Sequence, residues 1–245
     1  MSSARPWSGQ VWFGEDWACF EGLCGDARAH RHLSAQVVVG LSGPATVQAA
    51  TGAVVGEAVL IAPSALHAIV PSDEIVRVVY LQSYGRLARG WDVGTWPAAA
   101  RAAPAGWAGP LRGPDPRQSL ARASAASAPR HVDPRLAAAL QTMRQAAEAD
   151  VDLRGVARGV GLSPARLRAL AQAELGAPLA HWRAWLQLER AIGALRTGEP
   201  LAAAAAIGGF SDQAHLSRTM RRFFGITPLT AARVVRAPPA AMGAT

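Results

Sequence analysis

Residues 153–170 read Leu-Arg-Gly-Val-Ala-Arg-Gly-Val-Gly-Leu-Ser-Pro-Ala-Arg-Leu-Arg-Ala-Leu, and residues 201–219 repeat the pattern as Leu-Ala-Ala-Ala-Ala-Ala-Ile-Gly-Gly-Phe-Ser-Asp-Gln-Ala-His-Leu-Ser-Arg-Thr. In each copy a short apolar segment reaches a glycine, Gly161 or Gly209, before a longer segment that carries arginine. Glycine tolerates the positive φ that a tight reversal of the chain often requires. The pattern therefore predicts two short helices that each turn into a longer helix.

The residues around both longer segments are those that begin and end helices. Ser163 and Asp212 are good N-cap residues, and Pro164 suits the first helical position because its missing N–H would be unpaired there. Gly176 and Gly225 stand where a glycine commonly ends a helix. Ordinary helical hairpins share some of these features. Two aligned copies with matching caps favour a pair of helix-turn-helix units, whose second helices lie in the major groove of DNA.

The charge of the chain agrees with a nucleic-acid partner. The 245 residues have a formal net charge of +8, and all 25 basic residues are arginine. From Val132 onward there are 14 arginines against 8 acidic residues, whereas the preceding part has 11 against 9. The positive charge is concentrated around the repeat, as a surface that contacts phosphates requires.

Composition also excludes several classes of protein. Cys19 and Cys24 are too few for a disulfide scaffold of this length. The N-terminus lacks the apolar segment of a signal peptide, and no run approaches the roughly 18 apolar residues of a membrane span. We therefore expect a cytoplasmic protein that has no membrane partner.

The remaining sequence divides into two zones. Residues from about 11 to 84 contain short β-branched runs such as Val37-Val38-Val39, separated by turn sequences such as Ser42-Gly43-Pro44. Such a series of strands predicts a barrel or jelly roll. Residues 85–132, rich in Ala, Pro, Gly and Arg, predict a connector with a helix near residues 118–126.

The predicted fold class is therefore α+β with two domains. Residues 1–84 form the first domain, residues 85–132 the connector, and residues 133–245 an all-α domain with two helix-turn-helix units.

Two further stretches are specific enough to suggest a family. One reads Ile207-Gly-Gly-Phe-Ser-Asp-Gln-Ala-His-Leu-Ser-Arg218 and continues as Arg221-Arg-Phe-Phe-Gly-Ile-Thr-Pro228; the other reads Trp185-Leu-Gln-Leu-Glu-Arg-Ala191. Together with the Gly161-Leu-Ser-Pro164 turn, they resemble the AraC-type (AraC/XylS) transcription regulators. The resemblance implies a seven-helix domain in which a linker helix holds two recognition helices that enter successive major grooves.

The resemblance also implies which side chains face DNA. Carried over by position, they are Ala165, Arg166, Arg168 and Ala169 in the first recognition helix, and Gln213, Ala214, His215, Ser217 and Arg218 in the second, with Arg221 and Arg222 as phosphate contacts or solvated surface. Arginine can bond guanine at two atoms, and glutamine can pair with adenine. Ala169 stands where the family often has arginine, so the first helix is expected to read fewer bases. For Arg218 two interpretations stay open, a base contact and an internal salt bridge.

The N-terminal zone resembles the cupin-type sensory domains that precede such DNA-binding regions. His30-Arg-His32, Gln36 and Gly43 match the first cupin motif, and Gly56, Pro63 and His67 match the second. The resemblance implies that His30, His32, Gln36 and His67 face one effector pocket. Metal-binding cupins usually have a carboxylate at the position of Gln36, and glutamine is a weak ligand. Three alternatives stay open: a divalent metal held by His30, His32 and His67, a pocket for a small effector, and plain packing.

These features predict a transcription regulator, activator or repressor, without catalytic residues. The expected partners are double-stranded promoter DNA, a small effector, RNA polymerase and a second copy in a homodimer; no cofactor is certain. One alternative is a metal-dependent cupin enzyme with a helical appendage, which needs metal on the three histidines. The other is a DNA-repair methyltransferase, which needs a zinc-bound cysteine cluster or a Pro-Cys-His motif that Cys19 and Cys24 do not supply.

Overall fold

The computed structural model describes residues 5–25, 28–127, 132–146 and 152–236. The chain divides into two compact units. Unit 1 comprises Met1–Ala128 together with Met220–Thr245, and unit 2 comprises Pro129–Thr219. The predicted boundary after residue 132 follows the order of the chain, whereas unit 1 also takes in residues from the C-terminal end of the repeat.

Unit 1 is built around two antiparallel sheets. Its described residues form nine strands: β1 (Ser8–Phe13), β2 (Trp17–Leu23), β3 (Ala35–Gly40), β4 (Ala45–Ala49), β5 (Gly52–Gly56), β6 (Ala58–Ile61), β7 (His67–Ile69), β8 (Ile75–Leu81) and β9 (Ala100–Ala102). The six-stranded sheet has the order β1-β2-β8-β3-β6-β9, and the three-stranded sheet has the order β5-β4-β7. The prediction of a sheet-rich N-terminal region is therefore confirmed.

The β-branched runs identified in the sequence form the interior of the larger sheet. Val37, Val38 and Val39 lie on β3 and are fully buried. β3 pairs with β8 on one side and with β6 on the other, so its backbone groups are bonded on both edges. Branched side chains suit such a packed, pleated surface.

Residues 85–127 belong to unit 1 rather than to a separate connector. They include α1 (Arg86–Gly90), α2 (Pro116–Ala126) and strand β9, and they bury Leu87, Trp96, Leu111 and Leu120 in the core of the sheet. The helix predicted near residues 118–126 is confirmed by α2. The description of residues 85–132 as a connector was wrong for this packed part, because an Ala- and Pro-rich composition resembles a linker even where scattered apolar side chains are buried. Residues 128–131 lie outside the described residues.

Arg77 ties this segment to the sheet. It lies on β8 opposite Glu21 of β2, and its side chain is 1% exposed. Its Nε donates to Glu21 Oε2 at 2.8 Å, while its Nη atoms donate to the backbone carbonyls of Leu111 and Gly113. A buried guanidinium with this set of acceptors fixes residues 111–113 against the sheet.

Unit 2 is helical. Its described helices are α3 (Pro134–Gln145), α4 (Leu153–Gly159), α5 (Pro164–Leu175), α6 (Leu179–Arg196), α7 (Leu201–Ile207) and the first part of α8 (Gln213–Phe224). α8 is one continuous helix that ends in unit 1, where α9 (Pro228–Arg236) follows it. The predicted helical C-terminal region is therefore confirmed. Of the described helices, none is both long and apolar enough to cross a membrane.

Candidate nucleic-acid interface and histidine cluster

α5 separates apolar and polar residues between two faces. Leu167, Ala171 and Leu175 are buried. The four positions predicted to face DNA, Ala165, Arg166, Arg168 and Ala169, are all exposed. The helix is capped as its sequence predicts, since Ser163 Oγ accepts from the N–H of Arg166 at 3.1 Å and Gly176 ends the helix at φ 68°.

The cap allows a direct test of this segment. Replacing Ser163 by alanine is expected to lower the free energy of unfolding by about 1 kcal/mol, because the N–H of Arg166 loses its side-chain acceptor. The control variant Ser163→Asp keeps an oxygen at the same place and is expected to retain most of the stability. Urea unfolding followed by circular dichroism measures both. Equal losses in the two variants would contradict the capping role.

α8 presents the second set of predicted positions. Gln213, Ala214 and Arg218 are exposed, whereas Leu216 and Met220 are buried. The Asp212 carboxylate accepts from the N–H of His215 at 2.6 Å. This bond, and then the hydrogen bond from the Ser211 hydroxyl and the charge of the nearby Arg218 guanidinium, hold the pKa of Asp212 below its usual value. Arg218 is exposed and, among the described residues, makes no salt bridge within 4.0 Å.

The remaining predicted positions on α8 differ in exposure. Ser217 and His215 are half-buried, and the His215 ring packs edge-on against Phe210 with 5.2 Å between centroids. His215 is thus engaged by the turn before α8. Arg221 and Arg222 are exposed in the last turn.

α6 lies between the helix pairs α4–α5 and α7–α8 in sequence. It is hydrogen-bonded to the glycine turn between α7 and α8. Trp182 and Trp185 of this helix are buried. Gln187 Nε2 donates to the carbonyl of Gly209 at 2.7 Å, which connects α6 to the glycine turn before α8. Sequence analysis missed Gln187, because a lone glutamine on an apolar face gives no signal of its partner.

A cluster of three histidines lies in unit 1. His30 and His67 form an isolated β-bridge, and the ring centroids of His30, His32 and His67 are 4.7–5.4 Å apart. One potential ligand atom from each histidine lies within 4.8 Å of the others. The structure thus brings together the three histidines that were predicted to share one site. Gln36, on the neighbouring strand β3, is also buried.

Hydrogen bonds orient all three rings in the same way. Nδ1 of His30, His32 and His67 lies 2.9, 2.8 and 2.9 Å from the backbone carbonyl of Arg28, Ser34 and Ala65, respectively. A carbonyl can only accept, so each Nδ1 carries a proton, and Nε2 is the nitrogen that can offer a lone pair. Metal-binding histidines are typically oriented by such a bond on the other ring nitrogen.

The environment keeps two of these rings neutral. Burial, and then the neighbouring histidines among other causes, lowers the pKa of His32 to about 3. Burial likewise lowers the pKa of His67 to about 4. Near neutral pH both side chains offer a nitrogen lone pair, which is the form that binds a metal ion.

Three buried atoms of the cluster make no hydrogen bond of ordinary geometry in the described part of the chain, although Gln36 lies close enough to His32 and Tyr80 to affect the pKa of both. They are His32 Nε2, His67 Nε2 and Gln36 Oε1, and each is an acceptor. Leaving a buried polar atom unpaired is unfavourable by about 1–3 kcal/mol. Because the donors are imidazole nitrogens with one amide oxygen, the residues fit a divalent transition-metal ion such as Zn²⁺.

Cys19 and Cys24 do not extend this site chemically. Both are free and buried, and burial raises the pKa of both thiols above its ordinary value. They therefore remain protonated at neutral pH and are poor nucleophiles.

Comparisons with known proteins decide the family. A family described as "Helix-turn-helix domain" matches residues 156–233. A solved structure from Chromobacterium violaceum, described as a transcriptional regulator among AraC-type DNA-binding domain-containing proteins, is 30% identical over 44% of this chain and 96% of its own, with a TM-score of 0.40. The chain belongs to the AraC-type family of transcription regulators. No curated protein sequence matches it.

Structures of ToxT from Vibrio cholerae match this AraC-type chain over most of its length. One, described as bound to an unsaturated fatty acid, is 9% identical and covers 98% of this chain and 100% of its own, with a TM-score of 0.49. Another, bound to (E)-4-(8-methylnaphthalen-1-yl)but-3-enoic acid, is 9% identical and covers 90% of this chain and 99% of its own, with a TM-score of 0.50. At this identity the likeness concerns the fold alone, a sheet-rich N-terminal region followed by a helical region.

Membership in the AraC-type family also bears on the two enzyme alternatives. The family match covers the helical region, and the related protein is described as a transcriptional regulator. The two protonated, buried thiols offer nothing to a methyltransferase mechanism. The findings therefore support a DNA-binding transcription regulator.

Proposed function

We propose that this AraC-type chain is a sequence-specific, DNA-binding transcription regulator in which α4–α5 and α7–α8 are two helix-turn-helix units. The observation that carries the proposal is that α5 and α8 both follow a glycine turn and a side-chain cap, bury one apolar face and expose arginine or glutamine on the other. α5 and α8 are then the recognition helices, and they read adjacent major grooves of one duplex.

The roles of the individual side chains follow from their chemistry. Arg168 of α5 and Gln213 of α8 are exposed, and these side-chain types can bond the edges of guanine and adenine, respectively. Arg166, Arg221 and Arg222 supply positive charge for the phosphate backbone, which positions the protein and carries no sequence information directly. Such a protein works where promoters are, in the cytoplasm of a bacterial cell.

Unit 1 is the sensory part in this proposal, and its sheets correspond to a cupin-type domain. Support comes from the histidine cluster, which gathers buried, unpaired acceptors of the kind that a bound effector or ion would satisfy. ToxT is described as bound to a fatty acid. In the present chain the chemistry of the cluster favours a ligand that accepts lone pairs from nitrogen over an apolar chain.

DNA binding is expected to depend steeply on salt. Selection of duplexes from a random pool gives the cognate sequence, and fluorescence anisotropy then measures the affinity of the whole chain. With several arginine–phosphate contacts, the affinity is expected to fall by about 10³-fold or more between roughly 50 and 200 mM salt. Arg221→Ala is expected to reduce the slope of this dependence by about one, whereas the control Arg196→Ala, exposed at the end of α6, leaves it unchanged. A folded chain that binds no duplex even at low salt would overturn the proposed function.

A further inference from the structure

The three histidines place their potential ligand atoms close enough together to share one ion. Their potential ligand atoms lie within 4.8 Å of one another. A tetrahedral Zn²⁺ with Zn–N bonds of about 2.0–2.1 Å holds its nitrogens about 3.3 Å apart. A bound ion would therefore fix the spacing of the three rings, with Gln36 Oε1 as a further buried oxygen beside them.

The ring of His30 contacts the residue at which α8 ends. Gly225 has φ +72°, and a Cβ added to it would overlap the His30 ring at Nε2 and Cδ2. Only glycine, which has no Cβ, therefore leaves room at position 225 for the His30 ring. A movement of His30 towards the other histidines would change this contact directly.

Two further contacts join the cluster to the last turn of α8 within unit 1. The N–H of Leu33, next to His32, donates to the carbonyl of Arg222 at 2.9 Å. The Tyr80 hydroxyl donates to the carbonyl of Phe224 at 3.4 Å, and the Tyr80 ring lies 5.7 Å from the His32 ring and 5.1 Å from the Phe224 ring. Carbonyls at the end of a helix need such partners, because no later turn supplies them.

We infer that His30, His32 and His67 bind one divalent transition-metal ion, Zn²⁺ or an ion of similar preference, and that the bound ion fixes the C-terminal end of α8. This inference rests on the proposed function, in which α8 is a recognition helix. An ion that orders the cluster also orders the last turn of α8, which packs on it. The helix then loses less conformational entropy when it binds DNA. The metal-loaded protein is then the form that binds DNA more tightly.

The first experiment measures metal binding by the whole chain. Purified protein stripped with EDTA is titrated with Zn²⁺ in competition with a chromogenic chelator, and the bound zinc is counted by mass spectrometry. The expected result is one Zn²⁺ per chain, with the affinity lowered at least about 100-fold in His32→Ala and in His67→Ala. His181→Ala, which changes a histidine of unit 2, is the control and is expected to bind as the parent does. Absence of stoichiometric Zn²⁺ binding by the parent would overturn the inference.

Gln36→Glu tests the same site without removing a histidine. A carboxylate in place of the amide oxygen should strengthen Zn²⁺ binding, and a buried carboxylate without the ion should lower stability. We therefore expect this variant to gain more in Tm on adding Zn²⁺ than the parent does. An equal or smaller gain would place Gln36 outside the site and contradict the four-donor arrangement.

A pair of glycine variants tests the contact with α8. Gly225→Ala and Gly176→Ala introduce nearly the same backbone strain, at φ +72° and +68°, but a Cβ at Gly176 meets nothing within 4 Å. Gly225→Ala is expected to weaken Zn²⁺ binding at least about tenfold through displacement of His30. Gly176→Ala is expected to leave it unchanged. Equal losses of Zn²⁺ affinity in the two variants would show that backbone strain alone causes the loss. The contact between His30 and Gly225 would then not connect the metal site to α8.

The last experiment measures DNA affinity with and without Zn²⁺. For the parent, Zn²⁺ is expected to raise affinity for the selected duplex by at least about fivefold over EDTA, and His67→Ala is expected to remove this dependence. DNA binding that is the same in Zn²⁺ and in EDTA, or weaker in Zn²⁺, would overturn the coupling and leave the proposed function standing. No DNA binding in either condition, beside intact Zn²⁺ binding, would instead contradict the proposed function.

Discussion

The double variant Arg168→Ala/Gln213→Ala is expected to weaken binding to the cognate duplex by about 2–6 kcal/mol, because each side chain contributes about 1–3 kcal/mol of base discrimination. The two residues lie on different helices and are both exposed, so their effects should be nearly additive. Affinity for unrelated duplexes should fall far less, since phosphate contacts dominate nonspecific binding. Specific and nonspecific binding should then become almost equal.

Single variants locate the two effects. Arg168→Ala should relax the preference at one base pair of the site, and Gln213→Ala should relax it at another, about one helical turn away. Selection of duplexes with each variant shows which positions lose preference. Arg221→Ala is the matched control, because loss of a phosphate contact weakens all sequences alike. A double variant that loses the same affinity for every duplex would show that neither residue reads a base.

The recognition helices could be predicted from sequence because their limits depend on local chemistry. Ser163 and Asp212 satisfy N–H groups only three residues further along the chain. Gly176 and Gly225 adopt positive φ at the ends of α5 and α8, as their sequence positions predicted. These signals depend only on nearby residues, so both the presence of the helices and their ends could be predicted from the sequence.

The packing of residues 85–127 could not be predicted in this way. Trp96 and Leu120 are buried by a sheet whose strands are distant in sequence, and they show no periodicity of their own. β9 has only three residues and pairs with β6 across about 40 residues of chain. Composition therefore indicated a linker where the fold has part of its core.

The histidine cluster falls between these cases. The resemblance to the cupin motifs implied that His30, His32 and His67 share one site, and the structure brings the three rings together. The position of Gly225 against His30 had no sequence signal, because these residues are almost 200 positions apart and glycine offers no side chain to suggest a contact. The buried acceptor on Gln36 was likewise visible only from its surroundings.

Replacing Arg77 by methionine is expected to lower the free energy of unfolding of the whole chain by about 3–5 kcal/mol, the range for removing one partner of a buried ion pair. Methionine keeps much of the apolar stem, so the loss reports mainly on the charge. The Glu21 carboxylate, only 13% exposed, loses its partner, and the carbonyls of Leu111 and Gly113 lose a donor. Urea unfolding measures the effect, and Arg101→Met, at an exposed position on β9, should change stability little.

A second change separates the ion pair from the rest of the packing. In Glu21→Gln/Arg77→Met the uncompensated carboxylate is gone, so the double variant should be more stable than Arg77→Met alone. The carbonyls of Leu111 and Gly113 lack the Arg77 donor in both proteins. The destabilisation from these lost hydrogen bonds therefore cancels in the comparison. If the double variant were instead less stable than the single one, the charge of Glu21 would not be the source of the loss. Arg77 would then stabilise the fold chiefly by holding residues 111–113 against the sheet.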